Sequence, residues 1–135
     1  MTSIPKSLDD LSPAWIAEQL GVASPPISMD LTPMGEGVGM MSTMSRIRLD
    51  WAENGTLPQN LVIKIAAEND TNRNVAQQFN LYLKEVSYYR DLSALTSARS
   101  PRIYALDIDS DQNFFILMED VTNYRMGNQV TGATL

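Results

Sequence analysis

The glycine-rich segment of residues 34–40, which reads MGEGVGM, is the feature that most constrains how this chain can fold. It holds three of the seven glycines of the chain, at every second position. Glycine lets the backbone adopt positive φ angles and approach a ligand closely. Successive backbone N–H groups in such a turn form a concave site that suits phosphate oxygens. The segment therefore predicts a phosphate-binding turn, provided that other groups converge on the same phosphate.

Apolar and polar residues alternate on both sides of this segment, which predicts that it connects two β-strands. The apolar positions are Ile27, Met29 and Leu31 before it and Ile47, Leu49 and Trp51 after it. A dinucleotide-binding glycine fingerprint needs a helix directly after its glycines, and a Walker A loop needs Gly-Lys-Ser/Thr. Both of these phosphate-binding loops are therefore excluded.

Composition narrows the class of protein further. A length of 135 residues suits one domain. The net charge of −6, with no basic run, argues against nucleic acid as a partner. The absence of cysteine and histidine excludes disulfides, a Ser-His-Asp triad and most zinc sites. The sequence shows neither a long apolar run nor a signal-peptide pattern, so we expect a cytoplasmic protein that does not bind membranes.

The first helix is predicted over residues 13–20. Ser12 suits its N-cap, Pro13 suits its first position, and Gly21 suits its end. We expect residues 1–23 to form a covering helix without chemistry of its own.

A third antiparallel strand is predicted over residues 61–66, after an Asn54-Gly55 pair that is typical of a hairpin turn. Lys64 lies in the middle of this apolar run. A lysine at such a position either extends from the edge of a sheet or points into a cleft.

The longest helical pattern covers residues 74–95. Its apolar stripe, with spacings of three and four, consists of Val75, Phe79, Tyr82, Val86 and Tyr89. Glu85 borders this stripe, so it either pairs with a cation or is solvated beside Lys84.

Two more strands are predicted, over residues 102–108 and 113–118. The last is apolar on both faces, so it should be central or covered on both sides, and it ends at Glu119 and Asp120. The predicted fold class is α+β, a five-stranded antiparallel sheet with one long packed helix and an N-terminal helix.

This order of elements resembles the N-terminal lobe of the protein-kinase-like fold. In detail it is more similar to the aminoglycoside phosphotransferase and ecdysteroid kinase-like superfamily of small-molecule kinases. The lobe would cover residues 24–121. The segments that carry the resemblance are residues 7–13 (SLDDLSP), 35–39 (GEGVG), 61–64 (LVIK), 84–92 (KEVSYYRDL) and 115–120 (FILMED).

The resemblance implies ATP as the cofactor. Lys64 would contact the α- and β-phosphates, and Glu85 would hold Lys64 in place. Met118 would be the gatekeeper, and the backbone of Glu119 and Val121 would pair with the adenine edge. The residues that would fold over the triphosphate are Gly35, Gly37, Val38 and Gly39.

The sequence departs from the family pattern in three ways. Met40 stands where protein kinases have their third glycine, and Asn128 stands where this family tends to have aspartate. The second lobe, which would supply the catalytic aspartate and the metal ligands, is missing, so residues 122–135 would be a linker into it. We therefore expect Mg²⁺ only with a second lobe, and no phosphoryl transfer by this chain alone.

Two alternatives stay open. The chain could be a stand-alone, non-catalytic binding module that self-associates through an exposed face around Met118 and Val121. It could also be an unrelated small α+β protein in which the glycine-rich segment is only a turn.

Overall fold

The computed structural model of the chain describes residues 4–34, 41–52, 57–95 and 102–120. A short 3₁₀ turn at Leu8–Asp10 precedes the main elements. These are helix α1 (Pro13–Leu20), strands β1 (Ser28–Met34), β2 (Ser42–Asp50) and β3 (Asn60–Ala66), helices α2 (Asp70–Gln78) and α3 (Leu81–Leu95), and strands β4 (Ile103–Ile108) and β5 (Phe114–Glu119).

The five strands form one sheet in the order β1-β2-β3-β5-β4, and every neighbouring pair is antiparallel. This confirms the predicted α+β fold with a five-stranded antiparallel sheet. Strand β5 lies between β3 and β4, and its residues from Phe114 to Met118 are buried. Its apolar character on both faces follows from this position, because a hydrophobic cluster covers each face.

Successive side chains of a strand point to opposite faces of the sheet, so β3 and β5 supply two separate cores. On one face, Ile63 and Phe115 pack against Trp15 and Ile16 of α1. The rings of Trp15 and Phe115 meet edge to face with centroids 5.0 Å apart. On the other face lies the cluster that contains α3, formed by Val62, Ala66, Ala76, Tyr82, Val86, Phe114, Ile116 and Met118.

Helix α1 has the predicted bounds and the predicted caps. The backbone N–H of Trp15 donates to the Ser12 hydroxyl oxygen at 3.1 Å, and Pro13 occupies the first position. Gly21 ends the helix with a φ of 69°, a left-handed conformation that glycine adopts without steric cost. Helix α1 therefore covers one face of the sheet, as expected.

The helix predicted over residues 74–95 is divided into α2 and α3, and this part of the prediction is wrong. Asn80 lies between them with a φ of 55°, and Phe79 is 58% exposed instead of buried. Asparagine tolerates the left-handed region better than most residues. The turn between β4 and β5 holds this junction, because Gln112 Nε2 donates to Gln77 O and to Asn80 Oδ1, both at 3.2 Å.

The alternation predicted for β1 and β2 is confirmed except at one position. Met29 and Leu31 pack on the α1 core, and Ile47 and Leu49 are buried in it. Ile27, in contrast, precedes β1 and is 69% exposed. Its N–H donates to Asp50 O, so its backbone continues the ladder although its side chain leaves the core.

Candidate functional site

Lys64 and Glu85 form an ion pair between the central strand of the sheet and α3. Lys64 Nζ lies 2.5 Å from Glu85 Oε1, and the two side chains are 22% and 25% exposed. Lys64 therefore points from the middle of the sheet toward the helix and does not extend from an edge. Of the two alternatives for Glu85, pairing with a cation is the one observed.

The position of Lys64 follows from strand register. It lies on β3 between Met44 of β2 and Ile116 of β5, on the face that α3 covers. Glu85 reaches the same place because its neighbours on the helix surface, Tyr82 and Tyr89, pack in that core. A half-buried lysine surrounded by apolar side chains needs a partner, since an unpaired charge is costly to bury.

Met118 lies on the same face of the sheet as Lys64. It pairs in register with Val62, two residues before Lys64, and both side chains are buried in the α3 cluster. Met118 is 7% exposed, so the expected exposed apolar face does not include it, and that expectation is wrong for this residue. Met118 is buried because the side chains of the cluster that contains α3 pack against it.

The acidic pair at the end of β5 is bonded to the neighbouring strands. The N–H of Glu119 donates to Arg102 O at 2.8 Å, and Glu119 Oε1 accepts from the N–H of Arg102 at 3.3 Å. The Asp120 side chain is 7% exposed and lies 4.0 Å from Arg46 Nε. The N–H of Glu119 is thus bonded within the protein.

Tyr82 is the residue near this pair whose polar contacts sequence reasoning missed. Its hydroxyl donates to Met41 O at 2.5 Å and accepts from the N–H of Ala67 at 2.9 Å. The ring stacks on Phe114 with centroids 4.6 Å apart, and the residue is 1% exposed. Burial raises the pKa of the Tyr82 hydroxyl above its ordinary value. The position of this tyrosine in the buried stripe of a helix was the sequence signal for these contacts, because a buried hydroxyl group normally forms hydrogen bonds.

The remaining residues that the sequence placed in the site lie outside the described residues. These are Gly35, Gly37, Val38, Gly39 and Val121. The structure does describe the strands on either side of the glycine-rich segment, and Met34 of β1 pairs with Met44 of β2. The prediction that the segment connects two antiparallel strands is therefore confirmed.

Two further searches concern only the described part of the chain. Within it, no group of three or more acidic side chains is arranged to hold a metal ion. Likewise, none of the helices in the described ranges has the length and apolar character needed to cross a membrane.

Comparison with known proteins gives one match. The model of the ecdysteroid kinase-like family matches residues 36–135, which is most of the chain. Neither the curated proteins nor the solved structures gave a match. The matched range contains the Lys64–Glu85 pair, the strand that ends in Met118 and Glu119, and Asp120 directly after it. The chain belongs to the ecdysteroid kinase-like family.

Proposed function

We propose that this chain is the ATP-binding N-terminal lobe of a small-molecule kinase related to the aminoglycoside phosphotransferases. In the complete enzyme, the γ-phosphoryl group of ATP would pass to a hydroxyl group of the substrate. The observation that carries the proposal is the ion pair of Lys64 and Glu85, held between a central strand and a long helix.

The ion pair has the properties that a phosphate-binding lysine requires. Glu85 fixes the direction of the Lys64 side chain at 2.5 Å, and about a fifth of the lysine side chain stays exposed to an incoming anion. A phosphate oxygen would then receive charge-assisted hydrogen bonds from an ammonium group that is already oriented. Orientation before binding lowers the entropy cost of association.

The register of the strands that flank the glycine-rich segment supports a shared phosphate site with this lysine. Met34, Met44 and Lys64 lie side by side on three neighbouring strands. Two strand spacings amount to about 10 Å. A triphosphate between the segment and Lys64 could therefore reach both, with backbone N–H groups of residues 35–39 on one side and the ammonium group on the other.

The edge of an apolar surface beside Lys64, whose side chains are themselves buried, supports a site for the base. Val62 and Met118 lie next to each other one row away from Lys64 on the same face. Methionine packs well against aromatic rings because its sulfur is polarisable. We propose that the adenine ring lies at the edge of this surface, paired with the carbonyl oxygen of Glu119 and with the backbone of Val121.

We also propose that the 135-residue chain binds ATP without transferring its phosphoryl group. The resemblance places the catalytic aspartate and the metal ligands in a second lobe. Mg²⁺ would therefore contribute to the reaction only when that lobe is supplied.

The proposal predicts ATP binding that depends on Lys64 and Glu85. The purified chain should bind ATP in isothermal titration calorimetry, and Lys64→Met and Glu85→Gln should each weaken binding about tenfold or more, because each removes a charge-assisted interaction. Lys84→Met is the matched control, since Lys84 is exposed next to Glu85 in the sequence, and it should bind ATP like the wild type. A folded wild-type chain that does not bind millimolar ATP would contradict the proposal, and so would a Lys64→Met variant with unchanged affinity.

A further inference from the structure

We propose that Tyr82 is a positioning residue of this site, because its hydroxyl joins Met41, the residue before β2, to Ala67, the residue after the strand that carries Lys64. The inference rests on the proposed nucleotide-binding function and assigns a role within it. Tyr82 would not touch the nucleotide and would act through the backbone groups that it holds.

The hydroxyl group of Tyr82 links two backbone groups from different segments of the chain. It donates to Met41 O at 2.5 Å and accepts from the N–H of Ala67 at 2.9 Å. The bond to Ala67 is buried and the bond to Met41 is partly buried. Tyr82 itself is 1% exposed, and the stacking on Phe114 fixes the position of the ring. Hydrogen bonds shielded from water are strong and directional.

Each bonded group belongs to a different part of the proposed site. Met41 directly follows residues 35–40 of the glycine-rich segment and precedes β2. Ala67 directly follows β3, three residues after Lys64. Tyr82 lies on α3, one turn before Glu85. The bridge therefore joins the start of β2 and the end of β3, which carries Lys64, to the helix that carries Glu85.

Phenylalanine at this position would keep the stacking and lose the bridge. Met41 O and the N–H of Ala67 would then lose their hydrogen bonds to residue 82. The start of β2, the end of β3 and α3 could therefore shift relative to one another. A purely structural hydroxyl would lower stability on removal and leave the affinity of the folded protein unchanged. A positioning hydroxyl would lower the affinity for phosphate-containing ligands in particular, and this difference separates the two roles.

The test compares ATP with adenosine as ligands of the full 135-residue chain. Tyr82→Phe should weaken ATP binding about 3- to 10-fold, the size expected for a residue that acts through others, and should leave adenosine binding within about twofold of the wild type. Tyr88→Phe is the matched control, because it removes one hydroxyl from the same helix at a residue that is 58% exposed. Calorimetric titrations should be run well below the unfolding temperature of every variant.

A second measurement uses the wild-type protein and does not require Tyr82→Phe to fold. At equal saturation, hydrogen exchange of the Ala67 amide should slow more with ATP than with adenosine, because the phosphates would engage Lys64 on the strand that Ala67 directly follows. An exchange rate of the Ala67 amide that does not change when ATP binds would overturn the role of Tyr82.

The outcomes separate this inference from the proposed function. A wild-type chain that does not bind ATP overturns both. ATP binding that requires Lys64 but is equal in the wild type and Tyr82→Phe overturns the role of Tyr82 and leaves the proposed function standing. Equal losses of ATP and adenosine affinity in Tyr82→Phe also overturn the positioning role, because they indicate a general loss of structure.

Discussion

The Lys64–Glu85 ion pair loses hydration at its position in the fold, and the attraction between its charges adds little to stability. Its side chains are 22% and 25% exposed, so each charge has lost much of its hydration while solvent still weakens the attraction. Ion pairs that solvent still reaches contribute little to the net free energy of unfolding. Stability alone therefore does not explain the position of this pair between a central strand and a long helix.

A buried tyrosine, Tyr82, and a partly buried one, Tyr89, predict a loss of stability at alkaline pH. Burial is the main cause that raises the pKa of Tyr82 and of Tyr89, and the charge of Glu85 adds to both. A raised pKa in the folded state favours the neutral hydroxyl. The stabilisation is therefore complete below the ordinary pKa of 10.0 and is lost as the pH rises through the higher pKa of the folded state.

Urea denaturation between pH 8 and 11 measures this effect, with the pH range chosen around the ordinary tyrosine value. The free energy of unfolding should fall above pH 10. Tyr82→Phe should make the fall less steep, and Tyr82→Phe combined with Tyr89→Phe should make it less steep still. Identical slopes for the wild type and Tyr82→Phe would show that the buried hydroxyl of Tyr82 does not contribute to the pH dependence.

The junction between α2 and α3 predicts a difference between two substitutions of Asn80. Its φ of 55° lies in the left-handed region, which glycine adopts freely and alanine does not. Asn80→Ala should therefore be less stable than Asn80→Gly by about 1 kcal/mol. Both variants lose the hydrogen bond from Gln112, so their comparison isolates the backbone conformation.

Chemical denaturation of the two Asn80 variants gives this difference directly. Equal stabilities would mean that the backbone at residue 80 carries no such strain, and that α2 and α3 can join into one helix when alanine is present. The exposure of Phe79 provides a second readout, because a continuous helix would turn this ring toward the core, as the apolar spacing alone predicts.

Sequence reasoning worked at this scale where local signals decide the structure. The caps Ser12 and Gly21 set the bounds of α1, and the alternation around Ile47 and Leu49 set β2. The break at Asn80 could not be predicted, because the spacing of Val75, Phe79 and Tyr82 in the sequence fits one continuous helix. Its cause is a turn about 30 residues later in the chain, where Gln112 bonds the junction.

The candidate site shows the same division between local and distant causes. The position of Glu85 beside the buried stripe followed from helical spacing, but the choice of Lys64 as its partner came only from the family resemblance. The contacts of Tyr82 were not predictable, because they depend on backbone groups of Met41 and Ala67 from two other segments.

The two faces of the sheet differ in what they carry: one packs against α1, and the other carries the Lys64–Glu85 pair. Ile16 and Trp15 of α1 pack on the face formed by Ile63 and Phe115, whereas Lys64 points to the opposite face. Clusters that share no side chains and lie on opposite faces of a sheet should contribute independently to stability and to ligand binding. The N-terminal helix should therefore stabilise the domain without changing the affinity of the proposed nucleotide site.

Truncation of Ile16, which is 0% exposed, tests this independence. Ile16→Ala should lower the free energy of unfolding by about 2–5 kcal/mol, and Ile16→Val by about 0.5–1.5 kcal/mol, because both remove buried methyl groups. The affinity for ATP, measured at a temperature where each variant is folded, should stay within about twofold of the wild type. The milder Ile16→Val keeps the comparison available if Ile16→Ala unfolds. A loss of ATP affinity that grows in step with the loss of stability would mean that the two faces are coupled through β3, which carries both Ile63 and Lys64.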